Sequence, residues 1–144
     1  SGARRGELEV LKTKNFVVDG ELYIIHTIGK GDKERTLYIP KKYIQKEISY
    51  YISNDIEFIA TTKSGKVMDG SQIYRFLNNT YKKIGIKYSG AHILRHTFAK
   101  SMIAKDVNIV TVKELLGHAN IQTTMIYTNP NQREVQKAYL DTMK

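Results

Sequence analysis

β-branched and aromatic residues cluster in three short runs between residues 15 and 39, and beyond residue 41 the apolar positions fall into helical spacing. The chain therefore divides early into a small sheet and a largely helical remainder. Residues 15–18 and 22–28 are β-rich runs joined at Asp19-Gly20, a strong two-residue hairpin signal. A third run, 35–39, follows Gly29-Lys30-Gly31-Asp32 and stops at Pro40, so the three read as an antiparallel meander. Lys30 is expected at a hairpin tip, held out from the sheet. Ahead of the sheet, residues 6–11 read as a short helix with Leu8 and Leu11 on one face, and Arg4 and Glu7 stand one turn apart on another.

Helical spacing resumes at residues 41–51, where Ile44, Ile48, Tyr51 and Ile52 recur on one side. A brief extended piece at 57–60 runs into the turn-rich 61–65. Ser71 is the expected cap of a helix to about residue 84, with Ile73, Phe76, Leu77 and Tyr81 inward and Gly85 as its stop. Further helices are expected from Ala91, over 108–116 and over 120–127; Pro130 then breaks the chain before a last one at 132–142. No repeat or interdomain linker interrupts the pattern. The predicted fold is α+β and mainly α-helical, a single domain over 1–144 with a three-stranded antiparallel sheet at one edge.

Composition changes the picture in one respect. Lys and Arg number 23 against 14 Asp and Glu, a net charge of +9, which favours a polyanionic partner, nucleic acid before anionic membrane. Solubility is the bland explanation of that charge. No cysteine is present, so disulfides, thiolate nucleophiles and Cys-based zinc sites are excluded. No apolar run is long enough to span a bilayer and no leader pattern opens the chain, so a cytoplasmic protein is the expectation.

Candidate chemistry concentrates in the helical half. Arg95 has the planar fork that grips phosphate, His92 and His118 are histidines able to hold or move charge at neutral pH, and Tyr127 offers a hydroxyl nucleophile. Together they describe phosphoryl transfer without a metal or other cofactor. The competing readings are weaker. His92 and His96 are four apart, but the general-base glutamate of the zinc peptidase pattern and a third ligand are missing. No Asp and Glu cluster offers oxygen ligands for magnesium. Arg5, Lys33, Lys41 and Lys42 read as solvated charges, His96 as a buried structural histidine, His26 as a strand residue without company. Tyr23, Tyr43, Tyr51, Tyr74 and Tyr81 read as packing.

Five segments in order, Ser1-Gly2-Ala3-Arg4-Arg5-Gly6-Glu7-Leu8, Ile28-Gly29-Lys30-Gly31-Asp32-Lys33-Glu34-Arg35, His92-Ile93-Leu94-Arg95-His96-Thr97-Phe98-Ala99, Leu115-Leu116-Gly117-His118 and Thr124-Met125-Ile126-Tyr127-Thr128, resemble the boxes of the tyrosine recombinase family, the phage integrase and Xer-like enzymes. The resemblance implies a catalytic domain whose site is Arg4, Lys30, His92, Arg95, His118 and Tyr127, with Glu7 one turn after Arg4, orienting it or holding the helix. It implies cleavage of double-stranded DNA through a 3′-phosphotyrosyl bond, with Arg4, Arg95 and His118 on the phosphate, His92 as candidate proton acceptor and Lys30 as general acid. A tetramer on two DNA sites is implied for the full-length protein, with the tail at 131–144 exchanged between subunits and this fragment alone monomeric. Family members carry a core-binding domain and a further helix before the first box, so an N-terminally truncated chain is expected, with Ser1-Gly2 in part a remnant of cloning. Two alternatives share the residues: a type IB topoisomerase-like nicking and resealing enzyme, and a DNA-binding module in which the cations only neutralise phosphates.

Overall fold

The computed structural model describes residues 1–87, 90–118 and 132–143. Helix α1, Arg5–Val10, leads into a sheet of β1, Phe16–Asp19, β2, Leu22–Ile28, and β3, Glu34–Pro40. Helices α2, Lys41–Ser53, α3, Gly70–Lys83, α4, His92–Ile103, α5, Ile109–Leu116, and α6, Gln132–Thr142, follow. The sheet is the expected antiparallel meander in the order β1-β2-β3. Its first turn lies one residue later than expected. Asp19 pairs with Leu22, so the loop is Gly20-Glu21, and Gly20 takes the positive φ of 56° that the first position of a II′ hairpin requires.

Strand alternation decides which sheet face is buried. Tyr23 lies opposite Ile39, Ile25 opposite Leu37 and Thr27 opposite Arg35, and this face closes with Leu11 and Ile48 into one apolar cluster. Ala99, Val112 and Leu116 form a second cluster between α4 and α5, with Phe98, Met102, Ile103 and Val107 packed around it. The candidate site lies where Arg35 of β3 reaches the Leu115 carbonyl at the end of α5.

Helix boundaries follow their caps. α3 starts from Asp69, not Ser71: Asp69 Oδ1 accepts from the Gln72 N–H at 2.8 Å, and the Gln72 side chain accepts from the Asp69 N–H at 3.0 Å. This reciprocal pair satisfies two otherwise orphaned donors, and Ser71 falls inside the first turn. On the same helix Ile73 and Tyr81 are buried as expected while Phe76 is 60 % exposed, so the apolar stripe is narrower than the sequence suggests. Ile52 of α2 is likewise exposed. The expected helix at 120–127 lies outside the described residues, and among those described no helix is long and apolar enough to cross a membrane.

Candidate active site

The site is organised by the end of one short helix. α5 starts from Asn108, whose side chain accepts from the Val110 N–H, and stops at Gly117 with φ 60° and ψ 42°. Gly117 N–H donates to Glu114 O at 3.0 Å and His118 N–H to Lys113 O at 3.1 Å, the two bonds of a Schellman turn. Carbonyls at a helix C-terminus carry partial negative charge and lack intrahelical donors. Here three consecutive ones each receive an arginine. Leu115 O accepts from Arg35 Nη2 at 2.6 Å, Leu116 O from Arg95 Nη2 at 2.6 Å, and Gly117 O from Arg4 Nη2 at 2.8 Å.

A second carbonyl collects two of the same guanidinium groups. Gly2 O accepts from Arg95 Nη1 at 2.6 Å and from Arg35 Nη2 at 3.2 Å. Gly2 is buried at φ 65°, and a Cβ there would stand 2.8 Å from the Phe98 ring. Gly2 is therefore built into the site through its carbonyl and its close approach to Phe98. The packing against Phe98 was not visible locally in the sequence.

Glu7 is 2 % exposed and serves Arg35 before Arg4. Both its carboxylate oxygens accept from Arg35 Nη1 at 2.6 Å, Glu7 Oε2 accepts from the Arg4 backbone N–H at 2.6 Å, and the Arg4 guanidinium stands 3.7 Å away. Glu7 thus closes the start of α1, as a glutamate at the third helical position does, and balances a buried cation. Arg35 is the functional residue the sequence reading passed over. Its signal was available: it shares strand parity with Leu37 and Ile39, which puts a guanidinium on the apolar sheet face.

His118 follows the turn and is pushed down to about 4, first by burial and then by the charges of Arg95, Arg4 and Arg35. It is accordingly a neutral imidazole near pH 7, able to donate one N–H. Arg4 and Arg95 face a cleft of about 350 Å³ that His92 and Tyr74 also line. Tyr74 was expected only to pack; it forms part of the cleft wall. Gly90, at φ 82°, leaves room for the His92 ring, because a Cβ there would lie 2.9 Å from His92 Nδ1. Arg4, His92, Arg95 and His118 are thus brought together. Lys30 is exposed at the 29–33 loop, and it reaches the site only through its neighbour, since a Cβ on Gly29 would sit 3.6 Å from Arg4 Nη1. Tyr127 lies outside the described residues. His96 is half-buried, His26 is exposed, and among the described residues no group of three side chains could hold a metal.

Comparison with known proteins bears on family and fold. The family model described as the phage integrase family matches residues 1–134. The tyrosine recombinase XerH of Campylobacter jejuni is 36% identical over 135 residues, covering 90% of this chain and 38% of that protein. The tyrosine recombinase XerA of Thermococcus kodakarensis is 33% identical over 144 residues, covering 96% and 50%. This chain therefore spans half or less of the length of these relatives. Among solved structures, XerH site-specific recombinase bound to difH substrate in a pre-cleavage complex superposes with a TM-score of 0.81 at 27% identity, covering 96% of this chain and 42% of that one.

Proposed function

The chain belongs to the phage integrase family, and from that premise we propose that it is the catalytic domain of a site-specific DNA recombinase that cleaves and rejoins strands through a 3′-phosphotyrosyl intermediate without metal or ATP. The observation that carries the proposal is the convergence of Arg4, Arg95 and His118 on the last turn of α5. A phosphodiester under attack gathers charge on its non-bridging oxygens, and fixed donors aimed there lower the barrier. A guanidinium carries five N–H groups in a planar fork, a geometry that can hold a carbonyl and meet a phosphate oxygen from one side chain. The carbonyls hold the cations in place before substrate arrives.

In the proposed step the Tyr127 oxygen bonds to phosphorus as the bond from phosphorus to the 5′ oxygen breaks. The phenol proton passes to a histidine, with His92 in the cleft as the candidate, and the leaving 5′ oxygen takes a proton from Lys30. The phosphotyrosyl bond conserves the energy of the broken diester, so the 5′-hydroxyl of another strand can reverse the reaction. Double-stranded DNA is the proposed substrate, in keeping with the +9 charge. The tail helix α6 leaves Val135, Tyr139 and Leu140 exposed, and Met143 just past its end is exposed too, which supports docking of the tail on another subunit in a cyclic tetramer.

The test is incubation of the full-length protein with a nicked suicide duplex in EDTA, followed by a denaturing gel. A covalent adduct that disappears in Tyr127→Phe while DNA affinity stays within about threefold is expected, because affinity comes from many phosphate contacts. An adduct that survives in the variant, or none with the unaltered protein, would end the proposal.

A further inference from the structure

Arg35 takes no place in the chemistry above, yet its side chain is heavily committed beside it. Its side chain is 6 % exposed and reaches three parts of the chain at once: Glu7 in α1, Gly2 ahead of it and Leu115 at the end of α5. Arg35 Nε is the one side-chain nitrogen or oxygen, among the described residues, that is buried without a hydrogen-bond partner. An orphaned buried donor is a cost that a fold retains when the rest of the group is otherwise required. The surroundings leave little slack, since a Cβ on Gly117 would fall 2.8 Å from both Arg35 Cδ and Nε.

Position along the chain gives this commitment its meaning. Arg35 is the second residue of β3, and the loop before it is closed by Gly29 N–H donating to Lys33 O at 2.7 Å. Lys30 is inside that loop. Resting on the catalytic reading proposed above, we infer that Arg35 is a positioning residue that ties the hairpin carrying Lys30 to the α5 turn carrying His118, so that general acid and phosphate clamp are set as one unit. A lysine at 35 would keep the charge and still meet Glu7, but its single ammonium cannot reproduce the planar fork that spans a carboxylate and two carbonyls.

Cleavage rates of the full-length enzyme on two substrates, ordinary DNA and DNA with sulfur at the 5′-bridging position of the scissile phosphate, test the inference. A thiolate leaves without protonation, so the sulfur substrate is indifferent to where Lys30 stands. Arg35→Lys is expected to slow ordinary cleavage by about tenfold or more while staying within about threefold of the unaltered enzyme on the sulfur substrate, the signature of an impaired general acid. Glu7→Gln, which preserves shape and removes the charge that anchors Arg35, is expected to give the same pattern more mildly and carries the comparison should Arg35→Lys not fold. Equal losses on both substrates in the folded variants, or no loss on either, overturn the inference. Failure of the catalytic reading is distinguishable, because the unaltered enzyme would then form no phosphotyrosyl adduct on either substrate.

Discussion

Arg4, Arg35 and Arg95 each give an N–H to a backbone carbonyl of the α5 turn, whereas Lys30, five residues before Arg35, stands exposed on a loop whose Gly31 and Asp32 both take left-handed φ, 75° and 57°. The difference matches the two tasks proposed for these side chains. A phosphate clamp gains from donors already fixed where charge will develop, because nothing then has to reorganise during reaction. A proton donor must come within hydrogen-bond reach of one oxygen at one moment, which a loop at the edge of a sheet allows. The same contrast extends to cost: the clamp binds its cations to a helix terminus and a buried carboxylate, while the loop asks for little beyond two residues at positive φ.

Removing a clamp arginine should break the contrast most severely. Arg95→Ala takes away a phosphate donor and leaves Gly2 O and Leu116 O without that partner. Single-turnover cleavage should fall by about a hundred- to a thousandfold, the loss typical of an oxyanion donor. A drop of less than tenfold would remove Arg95 from the clamp. Next in size is a matched pair of glycine substitutions. Gly31→Ala meets nothing within 4 Å and should lose only the ~1 kcal/mol of a left-handed position. Gly117→Ala has the same backbone problem plus collision with Arg35, so denaturant unfolding should show a further ~1–3 kcal/mol. Equal losses would mean that Arg35 yields without resistance.

The pH dependence of stability sharpens the comparison on the clamp side. His118 is depressed to about 4 in the folded chain against 6.5 for an ordinary histidine, so between those values the unfolded chain binds more protons. Its share of stability is complete above pH 6.5 and is lost as pH falls toward 4. The thermal midpoint should decline across that window, and less steeply in His118→Gln or with sulfate, whose charge offsets the arginines. A decline of the same steepness in the glutamine variant would assign the effect to carboxylates. The smallest effect belongs to the loop: Lys30→Ala should leave unfolding free energy within about 0.5 kcal/mol, as surface substitutions do, even though it is expected to impair cleavage.

Much of this architecture was legible in the sequence because it is local. The meander follows from β-rich runs and loop residues, and the helix expected over 108–116 is found at Ile109–Leu116. What escaped is of two kinds: the exact placement of turns and caps, and pairings between chain segments far apart. The first hairpin slipped by one residue because the Asp19-Gly20 signal does not say which pair occupies the loop, while the Asp19 to Leu22 pairing does. The α3 cap moved to Asp69 because Gln72 reciprocates there. Arg4, Arg95 and His118 were nameable from their motifs, and the structure adds that they share one turn. Glu7 was expected behind Arg4, but its main partner, Arg35, is separated from it by 28 residues, a pairing no local pattern encodes.

The acceptors that hold Arg4, Arg35 and Arg95 at the α5 turn are main-chain atoms at positions 115, 116 and 117. Side-chain scanning is blind to them: replacing Leu115 or Leu116 by alanine trims packing and leaves each carbonyl where it was. A scan would therefore credit the cations with the whole of an arrangement of which they supply only the donors. Editing the other half requires chemistry on the backbone, such as a semisynthetic chain with an ester in place of the peptide bond after Gly117, which makes that carbonyl a weaker acceptor for Arg4 and also removes the His118 N–H bond to Lys113 O.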